Sequence, residues 1–289
     1  MVNGEDCAIF IFLNGAIVEE SKGLLNSQDR GFLYGDGIFE TFRTYNKKPF
    51  RLEAHVARLV NSAQHFGIPF HYTFQQVSQI IEQLLDVNKL HNAYFRMTLS
   101  RGIGGGGIIS SDGGPPTFVV HAKPLIPYPP SLYETGVSLT VSQIRRSASC
   151  PLSGHKTLNF LVNYLVKKEA VDCGAHDALM LNTDNHITEC AVSNVFIVEK
   201  NTVITPSLSA GVLPGITRKV ILDLCRENTI PACEELFGLE RVFHADEVFI
   251  TNSLMEVMPV SKVDGRMIGI SVPGVITGIL RDKYKALTL

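Results

Sequence analysis

The sequence predicts an α+β fold in two domains, a small one at the amino end and a larger one at the carboxyl end. Three observations support this prediction: the chain has 289 residues, its first half mixes hairpin and helix patterns, and four prolines crowd into seven residues near the middle. Proline fixes φ and pushes the preceding residue out of the helical region. We therefore expect a first domain over 1–122, an extended connector over 123–133 and a second domain over 134–289.

The charge balance and the cysteine pattern limit the classes of partner. The 26 Lys and Arg against 28 Asp and Glu give a formal net charge of -2, without the basic surplus that a nucleic-acid binder needs. The longest early apolar run, 8–13, is too short for a signal peptide or for the roughly 20 residues that span a bilayer. Six scattered cysteines without a C-x-x-C pair fit free thiols in a reducing compartment. We expect a cytoplasmic protein that binds neither nucleic acid nor membrane.

In the first domain the patterns predict two hairpins, two helices and a further strand. The segment AIFIFLNGAIVEE predicts two short strands around the turn Asn14-Gly15, and GIFETFRTYNKKPFRL predicts a second hairpin that turns at 46–49. Apolar residues at steps of three and four predict a helix over 52–66, and a second helix is predicted over 73–87. AYFRMTLSR then returns to a strand pattern.

In the second domain short strands dominate. GVSLTVSQIRR predicts a strand, and KTLNFLVNYLVKKEAVDCG predicts a helix that ends at Gly174. Strands are predicted at DALMLN, HITE, NVFIVE, TVITP and EVFITNS, and helices at TRKVILDLCREN and near 275–286.

Several common chemistries lack their sequence signals. Gly102, Gly104 and Gly107 satisfy G-x-G-x-x-G, but IISSDGGPP follows and cannot begin the helix that a dinucleotide fingerprint requires. The sequence contains no G-x-x-x-x-G-K-[ST], H-E-x-x-H or G-x-S-x-G motif. The nine histidines are dispersed without metal-ligand spacing, so we predict no metal site.

Two ionisable residues of the second half stand out. Lys156 is predicted at a helix start, where the helix dipole favours the neutral amine that a Schiff-base lysine needs. Glu189 ends an apolar strand, where a carboxylate could hold a protonated pyridine nitrogen. Each residue alone is equally compatible with a solvated surface charge.

Three other features fit a bound phosphate. The turn at 211–215 lies directly ahead of a helix that begins near Ile216 and Thr217, whose free backbone N–H groups could bind an anion. The segment TNSLMEV at 251–257 could add hydroxyl and amide donors, and Arg58 could supply a bidentate guanidinium. Taken singly, a Pro-Gly turn and an exposed arginine are common structural features.

Together these segments resemble, in one order along nearly the whole chain, the fold type IV pyridoxal-phosphate enzymes of the class IV aminotransferase family. That family includes branched-chain aminotransferases, D-amino-acid aminotransferases and aminodeoxychorismate lyases. The blocks that carry the resemblance are DRGFLYGDGIFETFR, EAHVARLVNSA, HKTLNFLVNYLVKKEA, ITE-x4-NVF, GVLPGITR and TNSLMEVMPV.

The resemblance implies pyridoxal 5'-phosphate as cofactor, a barrel-like β core in the larger domain, a cofactor lying between the two domains, and a homodimer. It implies that Lys156 forms the Schiff base and moves the proton, and that Glu189 pairs with the ring nitrogen. Leu161 stands where branched-chain enzymes place a tyrosine near the ring hydroxyl. The implied phosphate contacts are Arg58, the backbone of Ile216 and Thr217, and Ser253, with Thr251 and Asn252 nearby.

The residues implied to contact the substrate resemble more than one branch of the family. D-amino-acid aminotransferases carry an arginine and a histidine where this chain has Gly106 and Ile108, whereas aminodeoxychorismate lyases resemble this chain in Thr41 and in part of the run 101–107. Transamination between an amino acid, either branched-chain-like or a D-amino acid, and a 2-keto acid is our leading hypothesis. Aminodeoxychorismate lyase activity, releasing pyruvate and 4-aminobenzoate, is the alternative, and a non-enzymatic binding role is a third. The resemblance places Tyr34, Phe39, Thr41, Arg43, Tyr94 and Arg96 in blocks that face the substrate.

Overall fold

The computed structural model describes residues 8–104, 107–109 and 113–289, which separate into two compact units. The first unit ends at Ile126 and also contains Lys156–Asn159. The second unit holds Pro127–His155 and Phe160–Leu289. The division therefore falls inside the predicted connector, but four residues that the sequence places in the second domain belong to the first unit.

The first unit is a six-stranded antiparallel sheet with helices on one face. Its strands are β1 (Phe10–Leu13), β2 (Ala16–Glu19), β3 (Gly37–Tyr45), β4 (Lys48–Pro49), β5 (Ala93–Ser100) and β6 (Thr117–Pro124), and its helices are α1 (Arg30–Tyr34), α2 (Leu52–His65) and α3 (Phe74–Val87), with a 3-10 turn at Glu20–Lys22. The strand order is β2-β1-β6-β5-β3-β4.

Local signals account for most of these elements. Asn14 and Gly15 both have positive φ, as the predicted turn of the first hairpin requires. Thr73 caps α3 in a reciprocal capping box with Gln76. The apolar stripes of α2 and α3 bury Leu59, Ile81 and their neighbours against the sheet in one core.

Register decides which side chains of the first sheet share a face. Side chains alternate along a strand, so Ile38, Glu40 and Phe42 of β3 point toward the helices. Residues 39, 41 and 43 point the other way, to a surface that we call the far face. Phe39 lies opposite Thr98, Thr41 opposite Arg96 and Arg43 opposite Tyr94 on β5, so these six residues share the far face.

The second unit is built on a nine-stranded mixed sheet, and the predicted α+β class with a barrel-like core is confirmed. The strands are β7 (Val137–Arg146), β8 (Asp177–Asn182), β9 (Ile187–Cys190), β10 (Asn194–Glu199), β11 (Thr202–Pro206), β12 (Ala232–Glu235), β13 (Glu247–Asn252), β14 (Glu256–Val263) and β15 (Arg266–Met267). Their order is β12-β11-β10-β13-β14-β7-β8-β9, with β15 beside β14, and three pairs (β11–β12, β14–β7 and β7–β8) are parallel. The helices are α4 (Pro130–Thr135), α5 (Leu161–Asp172), α6 (Ile216–Glu227), α7 (Leu239–His244) and α8 (Val275–Ala286), with a 3-10 turn at Leu208–Ala210.

Two predictions about secondary structure need correction. The stretch 123–133 is not a continuous extended connector, because β6 runs to Pro124 and α4 begins at Pro130. Proline is tolerated at a strand end and at the first helical position, where its missing N–H costs no hydrogen bond. Helix α5 begins at Leu161, five residues after Lys156. Over the described ranges, no helix is both long and apolar enough to cross a bilayer.

Candidate functional site

Lys156 lies beside β3 in the segment Lys156–Asn159, where Thr157 forms an isolated antiparallel bridge with Ile38. The backbone N–H of Phe39 donates to the Lys156 carbonyl at 2.8 Å, and the N–H of Leu158 donates to the Gly37 carbonyl at 2.9 Å. The Lys156 Nζ atom is 4.4 Å from the centroid of the Phe39 ring. The expected helix-dipole effect on the amine does not apply, because α5 starts too far along the chain. The amine is instead positioned on the far face by pairing with β3.

Arg58 lies on α2 and is bound by a buried carboxylate. Its Nε and Nη2 donate to Oε1 and Oε2 of Glu40 at 2.7 and 2.8 Å, and His55 Nδ1 lies 2.7 Å from Oε2 of the same group. The side chain of Glu40 is only 1% exposed. Sequence reasoning missed Glu40 and His55. An H-x-x-R spacing on a helix, and a glutamate in an apolar row of a strand, are the signals that could have found them.

The charges within this group are fixed by their partners. Burial raises the pKa of Glu40, but the guanidinium of Arg58 and the hydrogen bond from His55 outweigh it and lower the pKa to about 2. Burial also lowers the pKa of His55 below its ordinary value. An ionised carboxylate can only accept, so Nδ1 of His55 carries a proton, and the lowered pKa favours the neutral form of the ring. The positive charge of Arg58 therefore compensates the negative charge of Glu40 on the helix-covered face of the sheet, opposite the far face that carries the Lys156 amine.

The far face collects most of the predicted substrate residues. The guanidinium carbon of Arg96 lies 3.7 Å from the centroid of Phe39, and its Nε donates to the Thr98 hydroxyl at 3.3 Å. Tyr94 is hydrogen-bonded to Arg96. Thr41 lies directly opposite Arg96, so Lys156, an aromatic ring, a guanidinium and a hydroxyl share one surface.

Two predicted substrate residues have other surroundings. Arg43 stacks its guanidinium on Tyr45 at 4.2 Å. Tyr34 lies on α1 and is half exposed, with the guanidinium of Arg30 5.0 Å above its ring. Gly106 lies outside the described residues. Ile108 is exposed, and its carbonyl accepts a hydrogen bond from Arg30.

In the second unit, Glu189 is a buried carboxylate held by three donors. It forms an ion pair with Arg146 and accepts from Asn194 Nδ2 at 3.2 Å and from the backbone N–H of Leu213 at 3.0 Å. Asn194 also donates to the Leu213 carbonyl at 3.0 Å. Glu189 is thereby linked to the turn that leads into α6. Arg146 and Asn194 were missed by sequence reasoning, since only tertiary contacts bring them to Glu189.

The start of α6 offers backbone donors. Within the part of the chain that the structure describes, its N-cap residue Gly215 makes no side-chain capping bond, so the N–H groups of Ile216 and Thr217 receive no side-chain cap. A Cβ at position 215 would lie 1.9 Å from Oδ1 of Asn194, which is why only glycine fits there. A positively polarised helix end of this kind suits a phosphate.

The remaining predicted cofactor residues differ in their roles. Thr251 is buried, and its hydroxyl has no hydrogen-bond partner in the described part of the chain. The amide of Asn252 is occupied, because it donates to the Val192 carbonyl and accepts from two backbone N–H groups. Ser253 begins the turn between β13 and β14, and Leu161 is an exposed first residue of α5.

Comparisons with known proteins identify the family to which the chain is related. The sequence profile of the family "Amino-transferase class IV" matches residues 37–263. A Methanocaldococcus jannaschii protein provisionally named branched-chain-amino-acid aminotransferase is 36% identical over 276 residues, 95% of each chain. D-alanine aminotransferase of Bacillus licheniformis is 32% identical (92% and 93% covered), and aminodeoxychorismate lyase of Bacillus subtilis is 31% identical (95% and 93% covered).

The fold is similar to that of a solved structure as well. The branched-chain amino acid aminotransferase of Escherichia coli superposes with a TM-score of 0.93 at 28% identity, over 97% of this chain and 95% of that one. The profile match runs from the start of β3 to the end of β14, and the relatives cover more than nine tenths of the chain. The chain therefore belongs to the class IV aminotransferase family.

Proposed function

We propose that this protein is a pyridoxal-phosphate-dependent aminotransferase that moves an amino group between an amino acid and a 2-keto acid. The observation that carries the proposal is the position of Lys156, whose amine lies over an aromatic ring beside Arg96 on the far face. The family membership supports an amine of this kind as the residue that binds the cofactor covalently.

The donor set fits the cofactor. Arg58 and the N–H groups of Ile216 and Thr217 would bind the phosphate, with the hydroxyl groups of Ser253 and Thr251 as further donors. Glu189, fixed by Arg146, would hold the protonated ring nitrogen. If Leu161 lies near the ring, as the resemblance implies, it would supply an apolar side chain in place of a hydroxyl.

The cofactor supplies an electron sink for the negative charge left when a proton leaves the substrate Cα. The protein's part is to hold and move that proton. Lys156 would accept the proton from the substrate Cα at its Nζ atom, acting as a general base. It would then donate the proton to C4′ of the cofactor, acting as a general acid. The carboxylate of Glu189 would stabilise the positive charge of the protonated ring nitrogen, and Arg58 would hold the phosphate end of the cofactor in place.

The far face suggests which amino acids react. Within the described residues Arg96 pairs with no carboxylate, so its guanidinium suits a carboxylate of an acidic amino acid or keto acid. Phe39 offers an apolar surface beside it, which suits a branched-chain-like side chain. Ile108, where D-amino-acid aminotransferases carry a histidine, weighs against a D-specific enzyme.

We also propose that the protein is a homodimer, as the family resemblance implies. Exposed apolar side chains on short stretches of α1 and α5 support this, since such surfaces are usually covered by a partner. They are Phe32 and Leu33 on α1, and Leu161, Tyr164 and Leu165 on α5. Sedimentation analysis should show twice the mass of one chain.

The second candidate is aminodeoxychorismate lyase, and Thr41 is the observation that favours it. Its position opposite Arg96 puts a hydroxyl on the same face as the Lys156 amine. In this reaction Lys156 would remove the proton from the carbon that bears the amino group. Pyruvate would then leave, and the six-membered ring of the substrate would become the aromatic ring of 4-aminobenzoate. The 31% identical relative with that name adds support.

One experiment separates the two candidates. The cofactor-loaded protein is mixed in turn with L-amino acids, their D-enantiomers and aminodeoxychorismate, while the cofactor spectrum and pyruvate release are followed. We expect an amino donor to convert the cofactor to its amine form, with L-glutamate or an L-branched-chain amino acid as the best donor. Pyruvate release from aminodeoxychorismate, with no conversion by any amino acid, would overturn the aminotransferase proposal.

A further inference from the structure

Three glycines of the segment DRGFLYGDG lie directly against the residues that follow Lys156. A methyl group at Gly37 would lie 2.6 Å from Cδ1 of Leu158, and one at Gly31 would lie 3.3 Å from the same atom. A methyl group at Gly35 would lie 2.9 Å from Oδ1 of Asn159. We call Gly31, Gly35 and Gly37 the glycine seat.

Close approach explains why these positions are glycine. Gly35 has φ of 67° and ends α1, which is a conformation that favours glycine. Gly37 has no such φ, but a methyl group there would also meet the Leu99 carbonyl at 2.6 Å. Glycine at position 37 is therefore needed because Leu158 packs closely there, and not because a turn requires positive φ.

Hydrogen bonds hold the same segment to β3 and to the end of α1. Leu158 donates its N–H to Gly37, Phe39 donates its N–H to Lys156, and the side chain of Asn159 donates to the Gly35 carbonyl at 3.0 Å. Lys156 is thus held in two ways. Its carbonyl accepts a hydrogen bond from Phe39, and Leu158, two residues later, packs against the glycine seat. A lysine on a loop without these contacts would sample many positions.

We propose that Leu158 and Asn159 are positioning residues that fix the Lys156 amine over Phe39 by packing on the glycine seat. The inference rests on the proposed function, because it concerns the amine that would bind the cofactor. It explains why two distant segments, DRGFLYGDG and KTLN, occur together: the first is shaped to receive the second. Leu158 acts through Lys156 and touches no substrate in this account.

The test compares Leu158→Ala with Leu24→Ala in the full-length protein. Leu24 is 82% exposed, so the control loses the same atoms without losing packing. For Leu158→Ala we expect the pH midpoint of the bound cofactor's visible band to move by about one unit, since the amine changes surroundings. Amide exchange of Phe39 and Leu158 in the cofactor-free protein should accelerate by about tenfold or more as the segment opens.

Two milder or opposite variants keep the test decisive. Leu158→Val should give smaller shifts in the same direction if the alanine variant fails to fold. Gly37→Ala should accelerate the same two amides, because its methyl group displaces Leu158 from the other side. Lower melting temperatures with an unchanged pH midpoint and unchanged exchange would overturn the inference. The exchange measurement needs no cofactor, so its result stands apart from any failure of the wild-type protein to bind pyridoxal phosphate.

Discussion

Glu40 and His55 have a consequence for stability that can be measured against pH. The pKa of Glu40 is lowered from 4.5 to about 2, so its stabilisation is complete above pH 4.5 and is lost as the pH falls toward 2. His55 has a folded pKa below its ordinary 6.5, so below that pH the unfolded chain takes up a proton that the folded protein does not. The free energy of unfolding should therefore already fall as the pH drops below 6.5.

His55→Gln should flatten the upper part of this pH dependence. Glutamine can still donate to Glu40 but does not titrate, so the loss of stability between about pH 6.5 and pH 5 should shrink while the loss below pH 4.5 remains. Urea unfolding at a series of pH values measures this directly. His71→Gln, at an exposed position, is the control. An unchanged slope in His55→Gln would show that another group causes the effect.

Glu189→Gln tests the residue proposed to hold the ring nitrogen. A neutral amide cannot maintain a positive charge there, so the rate of amino-group transfer to the cofactor should fall about 100-fold or more, as when one preorganised contact is removed. Stopped-flow absorbance gives this rate. Glu199→Gln, which removes a surface ion pair with Arg241, should leave it unchanged. Equal rates in the two variants would contradict the assignment of Glu189 to the ring nitrogen.

Among the elements, the start of α6 carries the sharpest prediction. In Gly215→Ala the methyl group would lie 1.9 Å from Oδ1 of Asn194, so either the helix start or Asn194 must move. We expect affinity for pyridoxal phosphate to fall about tenfold or more, in line with one lost charge-assisted hydrogen bond, while affinity for pyridoxal, which lacks the phosphate, changes little. Gly278→Ala on α8, where a methyl group meets nothing within 4 Å, is the control.

Unchanged affinity for pyridoxal phosphate in Gly215→Ala would contradict the assignment of α6 to the phosphate, whereas a loss for both ligands is expected only if Asn194 moves and releases Glu189. The two affinities are measured by titrating the cofactor-free protein and following absorbance. The same pair of ligands also tests Arg58 independently, because Arg58→Gln should reproduce the phosphate-specific loss.

Element prediction from the sequence succeeded where local signals decide the structure. The turn at Asn14, the helix predicted over 73–87 and the bounds of α8 follow from residue preferences that act over a few positions. It failed at Pro130 and at Lys156. Proline at 130 begins a helix because an N–H is not needed there, and the residues after Lys156 pair with β3 although their apolar pattern continues into α5.

For the whole molecule, resemblance along the chain gave the fold class and the residues to inspect, but not their companions. Lys156, Arg58 and Glu189 could be named from motifs. Glu40 and Arg146 could not, because they reach these residues only through the folded chain. The grouping of Lys156–Asn159 with the first unit likewise depends on hydrogen bonds across more than a hundred residues of sequence.

The central claim is that Lys156 is the amine that binds pyridoxal phosphate. The purified protein is incubated with the cofactor, reduced with borohydride, digested and analysed by mass spectrometry. We expect a single phosphopyridoxyl group on the peptide that contains Lys156, and none in Lys156→Ala. A modified peptide elsewhere in the wild-type protein, or an unmodified Lys156 peptide, would contradict the account.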